Sequence, residues 1–431
     1  MTTNGSQAVR HFGGRQDAVL LASNSLSLAI LAFSGIAINV LLARRFGADV
    51  VGQFNQLTAL HLVAAQLAAF GIHLSCLHYL STQIVGSQSW AVGSRAALGA
   101  VFVVGCIVAG ALSSGAGLIE SLLGSPGLAE GIYWLAPAVA LFGINKVLQA
   151  ICNASDRLHA LAFLQALRPI AWLIGMAVAV HVGSVGPAGF GKVLLVGELA
   201  AMLSGVVALS SVWHGPLSTN YSGWLLRHFQ FGIRAMPSHL ITDLNARIDI
   251  LILAFFSNDV IVGIYSFVAV LAEGVFQIGV LIRTVISRRL VGVLVSHDHS
   301  ALRSLRRQSS RWSLILTLIS AAVLSAVFAP AVSWLGLEAS FVQGKFALWV
   351  LLGGVVACAM YSPLWMLLVL AGRPVEHTQL MLALCTLNIV LNIALIPAFG
   401  MLGAAIGTAV MFAMFPLMLS WMAKRVLGVN L

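Results

Sequence analysis

The sequence predicts an all-α polytopic membrane protein of about 12 transmembrane helices, in two six-helix lobes related by a pseudo-two-fold axis along the membrane normal. Three observations predict it. The chain is 60% hydrophobic and only 8% charged, with a mean hydropathy of +0.98, whereas soluble domains carry roughly 25% charged residues. Its apolar residues come in long solid runs, which suit helices and exclude a transmembrane barrel of short alternating segments. The chain also repeats weakly on itself at about half its length.

Splitting the runs at charges, prolines and glycines predicts helices over 19–43, 54–80, 96–119, 131–152, 159–181, 191–213, 229–256, 260–286, 312–336, 346–371, 378–397 and 402–423. Each approaches or exceeds the 20 or so apolar residues that span a bilayer core. The first follows Arg10 and Arg15 and is uncharged from Ala18 to Ala43, too long for a signal-peptide core of about 7–15 residues, so no cleavable signal is expected. With the N-terminus inside, inner loops and tails hold 14 Lys or Arg and outer loops four, Arg44, Arg45, Lys192 and Lys345. That asymmetry follows the positive-inside rule and places both termini in the cytoplasm. The net charge of +10 is thereby explained by topology, and no nucleic-acid partner is expected. The inner segment Ser287–Arg311, SRRLVGVLVSHDHSALRSLRRQSSR, reads as a positive-inside determinant that also suits an interfacial helix on anionic lipid. Cys76, Cys106, Cys152, Cys358 and Cys385 are scattered singly in or beside apolar runs and form no disulfide framework.

A shift of 211 residues lays Leu42-Ala43 on Leu253-Ala254, Val51-Gly52 on Val262-Gly263, and Phe54 on Tyr265; a shift of 214 lays Gly186 and Gly189 on Gly400 and Gly403. Six helices per half bring both halves to the same starting side, so the repeat is parallel. The lobes are expected over 1–214 and 215–431.

Three patches carry a family likeness. No Asp, Glu, Lys or Arg stands between Glu376 and Lys424; within that run Asn388 and Asn392 lie one helical turn apart, Pro397 and Gly400 break the helix, and Gly-Ala-Ala-x-Gly-Thr restarts it. Leu41–Phe54, LLARRFGADVVGQF, and Arg247–Tyr265, RIDILILAFFSNDVIVGIY, are the other two. Together they resemble polysaccharide flippases of the multidrug/oligosaccharidyl-lipid/polysaccharide exporter (MOP) superfamily. The resemblance implies a flippase that moves a lipid-linked oligosaccharide (a polyprenyl-diphosphate repeat unit) across the bacterial inner membrane by alternating access, beside other polysaccharide assembly proteins, without a cofactor. A drug or metabolite exporter of the same superfamily is the alternative. A membrane enzyme of glycan assembly needs a sizeable external loop, and no predicted outer loop exceeds roughly a dozen residues.

Ionisable residues within spans usually face an interior or a watery cavity. Here they are Lys146, Arg168, Glu198, Arg234, Asp243, Arg247, Asp249, Glu273 and Arg283. Lys146, Gln149 and Asn153 form one polar stripe on a helix face, suited either to an anionic diphosphate approaching from the cytoplasm or to a lysine that snorkels to the interface without a ligand. With Arg168, Arg234, Arg247, Asn388 and Asn392 they make the candidate substrate cavity. Asp243 and Arg247 are four apart and are expected to pair within one helix. Glu273 is either a lone carboxylate that carries a coupling proton or the partner of Arg234 or Arg247. His73, Cys76 and His78 imitate metal spacing, but His78 lies about 140° from His73 around a helix, so no metal site is expected. The sequons at Asn4, Asn153 and Asn220 fall on the cytoplasmic side and read as chance matches.

Overall fold

The computed structural model describes residues 15–210, 220–296 and 298–429. Asn4, Arg10 and the lobe boundary expected at 214/215 lie outside them. All regular elements among the described residues are helical. The first lobe contains α1 (Arg15–Phe46), α2 (Ala48–Ala69), α3 (Ile72–Leu80), α4 (Gln88–Ser114), α5 (Ala116–Leu123), α6 (Leu128–Ala154), α7 (Leu158–Val182) and α8 (Pro187–Leu209). The second contains α9 (Tyr221–Asn245), α10 (Ile248–Phe256), α11 (Asp259–Val295), α12 (His299–Trp334), α13 (Lys345–Cys358), α14 (Leu367–Leu370), α15 (Pro374–Phe399) and α16 (Met401–Leu427).

Among the described residues ten helices are long and apolar enough to cross a membrane, and α2 with α3 makes one further candidate span bent by 45°. The bend lies where Phe70 and Gly71 both take left-handed backbone, φ 47° and 68°, against the α9 backbone at Gly232. The expected seventh span, 229–256, which α9 and α10 cover, is not among these candidate spans, and it carries Arg234, Asp243, Arg247 and Asp249. Most of its polar side chains are answered by neighbouring helices instead of by lipid, as the contacts below show.

Besides the α2–α3 bend, three further expected helices are interrupted. The seventh breaks at Ala246–Arg247. The third ends at Ser114, and α5 continues after Gly115. The tenth, expected unbroken over 346–371, stops at Cys358 and resumes through a turn at Ser362–Leu364. Pro363 has no N–H to continue the ladder. The chain is satisfied from α12: Ser310 donates to the Met360 carbonyl at 2.5 Å, and the Ser313 and Ser362 hydroxyls meet at 3.2 Å. Irregular backbone at membrane depth is tolerated only with such partners.

The Ser287–Arg311 segment is not a separate interfacial helix. Instead α11 and α12 run on past the spans, and Asp298 caps α12 by accepting from the Ser300 and Ala301 amides at 2.9 and 3.0 Å. Leu290 and Leu302 are buried in the cluster formed with the ends of α15 and α16, which accounts for the apolar residues between the arginines.

The repeat is visible in three dimensions. Leu42 and its counterpart Leu253 are both fully buried. Gly186 and Gly400 both turn the chain with positive φ, 137° and 56°, ahead of α8 and α16. Gly52 of α2 and Gly263 of α11 touch each other across the lobe interface: a Cβ on Gly52 would strike the Asp259 carbonyl, and one on Gly263 the Ala48 carbonyl. Small residues permit such backbone approach where lipid offers helices no hydrophobic drive to associate. Around this contact Gln53, Gln56 and Ser125 all donate to the Asp259 carboxylate, at 3.1, 2.6 and 3.0 Å. The end expected to face outward is thus closed. At the other end α9 packs on α3 and α4. His228 Nδ1 meets the Ser75 hydroxyl at 2.9 Å, its Nε2 meets the Gly93 carbonyl at 3.0 Å, and Trp224 stacks on its ring.

Candidate functional site

Between the two closures lies a cavity of about 200 Å³ lined by α1, α2, α7, α10 and α11, including Asn39, Asn55, Arg168, Trp172, Arg247, Glu273 and Gln277. A second, of about 250 Å³, lies inside the second lobe among Asp249, Arg283, Phe276, Trp365, Thr408 and Phe412. Arg247 and Glu273 line both. Their side chains form an ion pair at 3.2 Å, with the arginine 20% and the carboxylate 40% exposed. Glu273 is therefore the partner of Arg247, one of the two roles open to it in the sequence.

The expected Asp243–Arg247 pair does not form. A helix brings residues four apart together only while it continues, and here α9 ends at Asn245 and α10 begins at Ile248. Asp243 instead accepts from Gln66 of α2, and the break turns Arg247 toward Glu273. Asp249, on the far side of the break, accepts from the Tyr265 hydroxyl at 2.5 Å, the Thr408 hydroxyl at 3.2 Å and the Ile250 amide at 2.9 Å.

In the first lobe Arg168 lies over the Phe142 and Trp172 rings, 4.9 and 5.4 Å from their centroids. Such faces attract cations and hold the guanidinium at the cavity wall. Behind it is a carboxylate with no access to solvent. Glu198 of α8 is 0% exposed, with Oε1 3.8 Å from Arg168 Nη1 and 3.4 Å from His61 Nε2 of α2. Its Oε2 accepts from Asn145 of α6 at 2.7 Å. Lys146 also lies over the Phe142 ring, 5.3 Å from its centroid.

The remaining expected residues lie elsewhere. Lys146 and Gln149 are half-buried and Asn153 exposed; none of the three lines either cavity. Arg234 is exposed on α9 outside both. Asn388 and Asn392 are fully buried: Asn392 donates to Asn388 at 2.8 Å and Asn388 to the Asn245 side chain at 3.1 Å. They fasten α15 to the end of α9, beside the break that frees Arg247. His78 stacks on Phe231, and Cys76 is buried in the packing of the first lobe. No cluster of three or more metal-ligating side chains is found among the described residues. The sequence marks Glu198 as an intramembrane ionisable residue but does not join it to Asn145, His61 or Trp172. The available signal was the rarity of such groups in apolar spans; their meeting depends on four different helices.

Two lobes closing at both ends over a charged cavity define a transporter-type membrane fold. The chain belongs to the polysaccharide biosynthesis protein family, whose profile matches residues 81–339. No curated protein matches it in sequence. Among solved structures it is similar to the lipid II flippase MurJ in an inward closed conformation (TM-score 0.75, 13% identity, 93% of this chain and 87% of that one). It is also similar to an inward-facing multidrug resistance MATE transporter of the MOP superfamily (TM-score 0.70, 12% identity, 95% and 98%). A further similarity is to the MATE multidrug transporter DinF-BH (TM-score 0.63, 12% identity, 98% of each chain). The fold is thus that of MOP-type flippases and transporters.

Proposed function

We propose that this protein is a flippase that carries lipid-linked oligosaccharides, polyprenyl-diphosphate repeat units for lipopolysaccharide or exopolysaccharide, across the bacterial inner membrane with both termini in the cytoplasm. One observation carries the reading: Arg168 from the first lobe and Arg247 from the second line the same cavity between the lobes. A diphosphate bridging them takes charge-assisted hydrogen bonds from both sides and couples its own binding to the lobes' approach. The stripe of Lys146, Gln149 and Asn153, with Arg234 on the facing lobe, serves as the cytoplasmic approach to that cavity. At about 200 Å³ the cavity is below the roughly 300–1,000 Å³ of typical ligand sites. The sugar therefore enters only when the lobes part, while the lipid tail stays in the bilayer. No bond is made or broken.

The test is flipping of a polyprenyl-diphosphate saccharide in proteoliposomes. Removing one charge-assisted contact costs about 1.5–3 kcal/mol, so Arg168→Ala and Arg247→Ala each lower apparent affinity by roughly tenfold or more. Unchanged flipping in both variants overturns the assignment. Orientation is tested separately: cysteine at Ser184 reacts with an impermeant thiol reagent from outside and cysteine at Ser296 does not, in a chain freed of its native cysteines.

The second cavity supports the rival exporter reading. Its two carboxylates, Asp249 and Glu273, are balanced by Arg247 and Arg283, but Phe276, Trp365 and Phe412 give it an aromatic lining suited to an organic cation. Efflux of a cationic dye with no saccharide flipping would select it.

A further inference from the structure

The cluster around Glu198 is built differently from an ordinary buried ion pair. Glu198 Oε1, both ring nitrogens of His61, and Asn145 Oδ1 are buried without a hydrogen-bond partner, although His61 and Glu198 are 0% and Asn145 3% exposed. Buried polar atoms are nearly always satisfied, and Glu198 Oε1 and His61 Nε2, which face each other at 3.4 Å without a hydrogen bond between them, mark a place where something further binds. The charged and titratable groups facing Glu198 are His61 from α2, Lys146 from α6 and Arg168 from α7; Lys146 in turn feels Asp243 of α9. A metal cation is disfavoured beside Arg168 and Lys146. The open positions, an oxygen and a nitrogen 3.4 Å apart, fit a proton.

We propose that Glu198 with His61 is a proton site, and that its occupancy is linked through Arg168 to an anion in the central cavity. The inference rests on the diphosphate reading above. Arg168 is 18% exposed and belongs to the cavity wall, whereas the carboxylate behind it is sealed. One guanidinium thus serves two anions, one fixed and one transported. Turning to a diphosphate, it leaves Glu198 as an ion in an apolar interior, which is stable only when neutralised. A proton from water then adds to the Glu198 Oε1 lone pair that faces His61 Nε2, and no bond other than that to its carrier water breaks. Substrate and proton bind together, so low pH favours substrate.

The probe is a polyprenyl diphosphate added to the full chain in nanodiscs. In weakly buffered solution the wild type takes up close to one proton per molecule bound, and by linkage its affinity falls about tenfold per pH unit across the coupled range. The infrared difference spectrum gains a protonated-carboxyl band. Glu198→Gln still binds the probe but loses the proton uptake, the band and the steep pH dependence. Should Glu198→Gln fail to fold, Glu198→Asp keeps a carboxyl and shifts the band, identifying its source. Probe binding without proton uptake, or uptake that survives in Glu198→Gln, overturns the proton site and leaves the substrate reading intact. Absence of probe binding by the wild type overturns the substrate reading and this inference with it.

Discussion

The two lobes each send one arginine to the shared cavity and each back it with a glutamate, but they do so in opposite surroundings. Glu198 is sealed behind Arg168, touched by side chains of three other helices and at 0% exposure; Glu273 stands in the open beside Arg247, 40% exposed and lining two cavities. A charge pair's value depends on what surrounds it. Breaking a sealed pair strands an ion, and breaking a wet one mostly admits water. The first lobe's pair is therefore expected to be structural and coupled, and the second lobe's adjustable.

The comparison breaks most visibly at the glutamates themselves. Glu198→Leu leaves Arg168 and Lys146 facing an apolar wall and costs about 3–5 kcal/mol, whereas Glu273→Gln costs about 1 kcal/mol or less. Thermal unfolding of the two purified variants side by side checks this; equal destabilisation would show that exposure does not separate the lobes.

A second, smaller effect tests their symmetry. Gly52→Val and Gly263→Val each force apart backbones that now touch, at about 1–3 kcal/mol for overpacking, and favour conformations open at that end. Distances between spin labels across the Gly52–Gly263 contact should lengthen alike in both. A change in one variant alone would mean that only one side of the contact carries the closure.

Smaller again is the loss at the second lobe's polar tie. Asn388→Leu removes donation to Asn245, and interhelical hydrogen bonds in membranes average about 0.6 kcal/mol. Stability should drop by about that much. Diphosphate affinity should fall as well only if the tie sets the α9–α10 break, so measuring both sharpens the role of Asn388. Least of all, Arg234→Ala should leave probe affinity within about twofold and reduce only its salt dependence, as an exposed charge outside the cavity does. A loss matching that of Arg247→Ala would move the second lobe's contribution out of the cavity.

In the last helix pair Gly400 is legible as the turn, where α15 and α16 meet, whereas Pro397, expected to share in the break, lies inside α15, which runs on to Phe399. The repeat was legible too, down to Gly52 and Gly263, because a shared backbone requirement leaves glycine in both copies. The Asp243–Arg247 pair misled because spacing arguments assume an unbroken helix, and no proline or glycine near Ala246 announces the break. Asn388 and Asn392 were read as cavity residues, since an intramembrane asparagine has the same appearance in sequence whether it meets a ligand or another helix.

By itself the sequence determined the solvent, the fold class and the approximate course of the apolar spans, though not their breaks, because apolar run length and backbone satisfaction in lipid leave few alternatives. The tertiary structure alone decided which charges meet. His61, Asn145, Arg168 and Glu198 come from four helices, and Arg247 joins Glu273 only because α9 stops where it does. Electrostatic energy depends on distance and local dielectric, and neither is set by position along the chain.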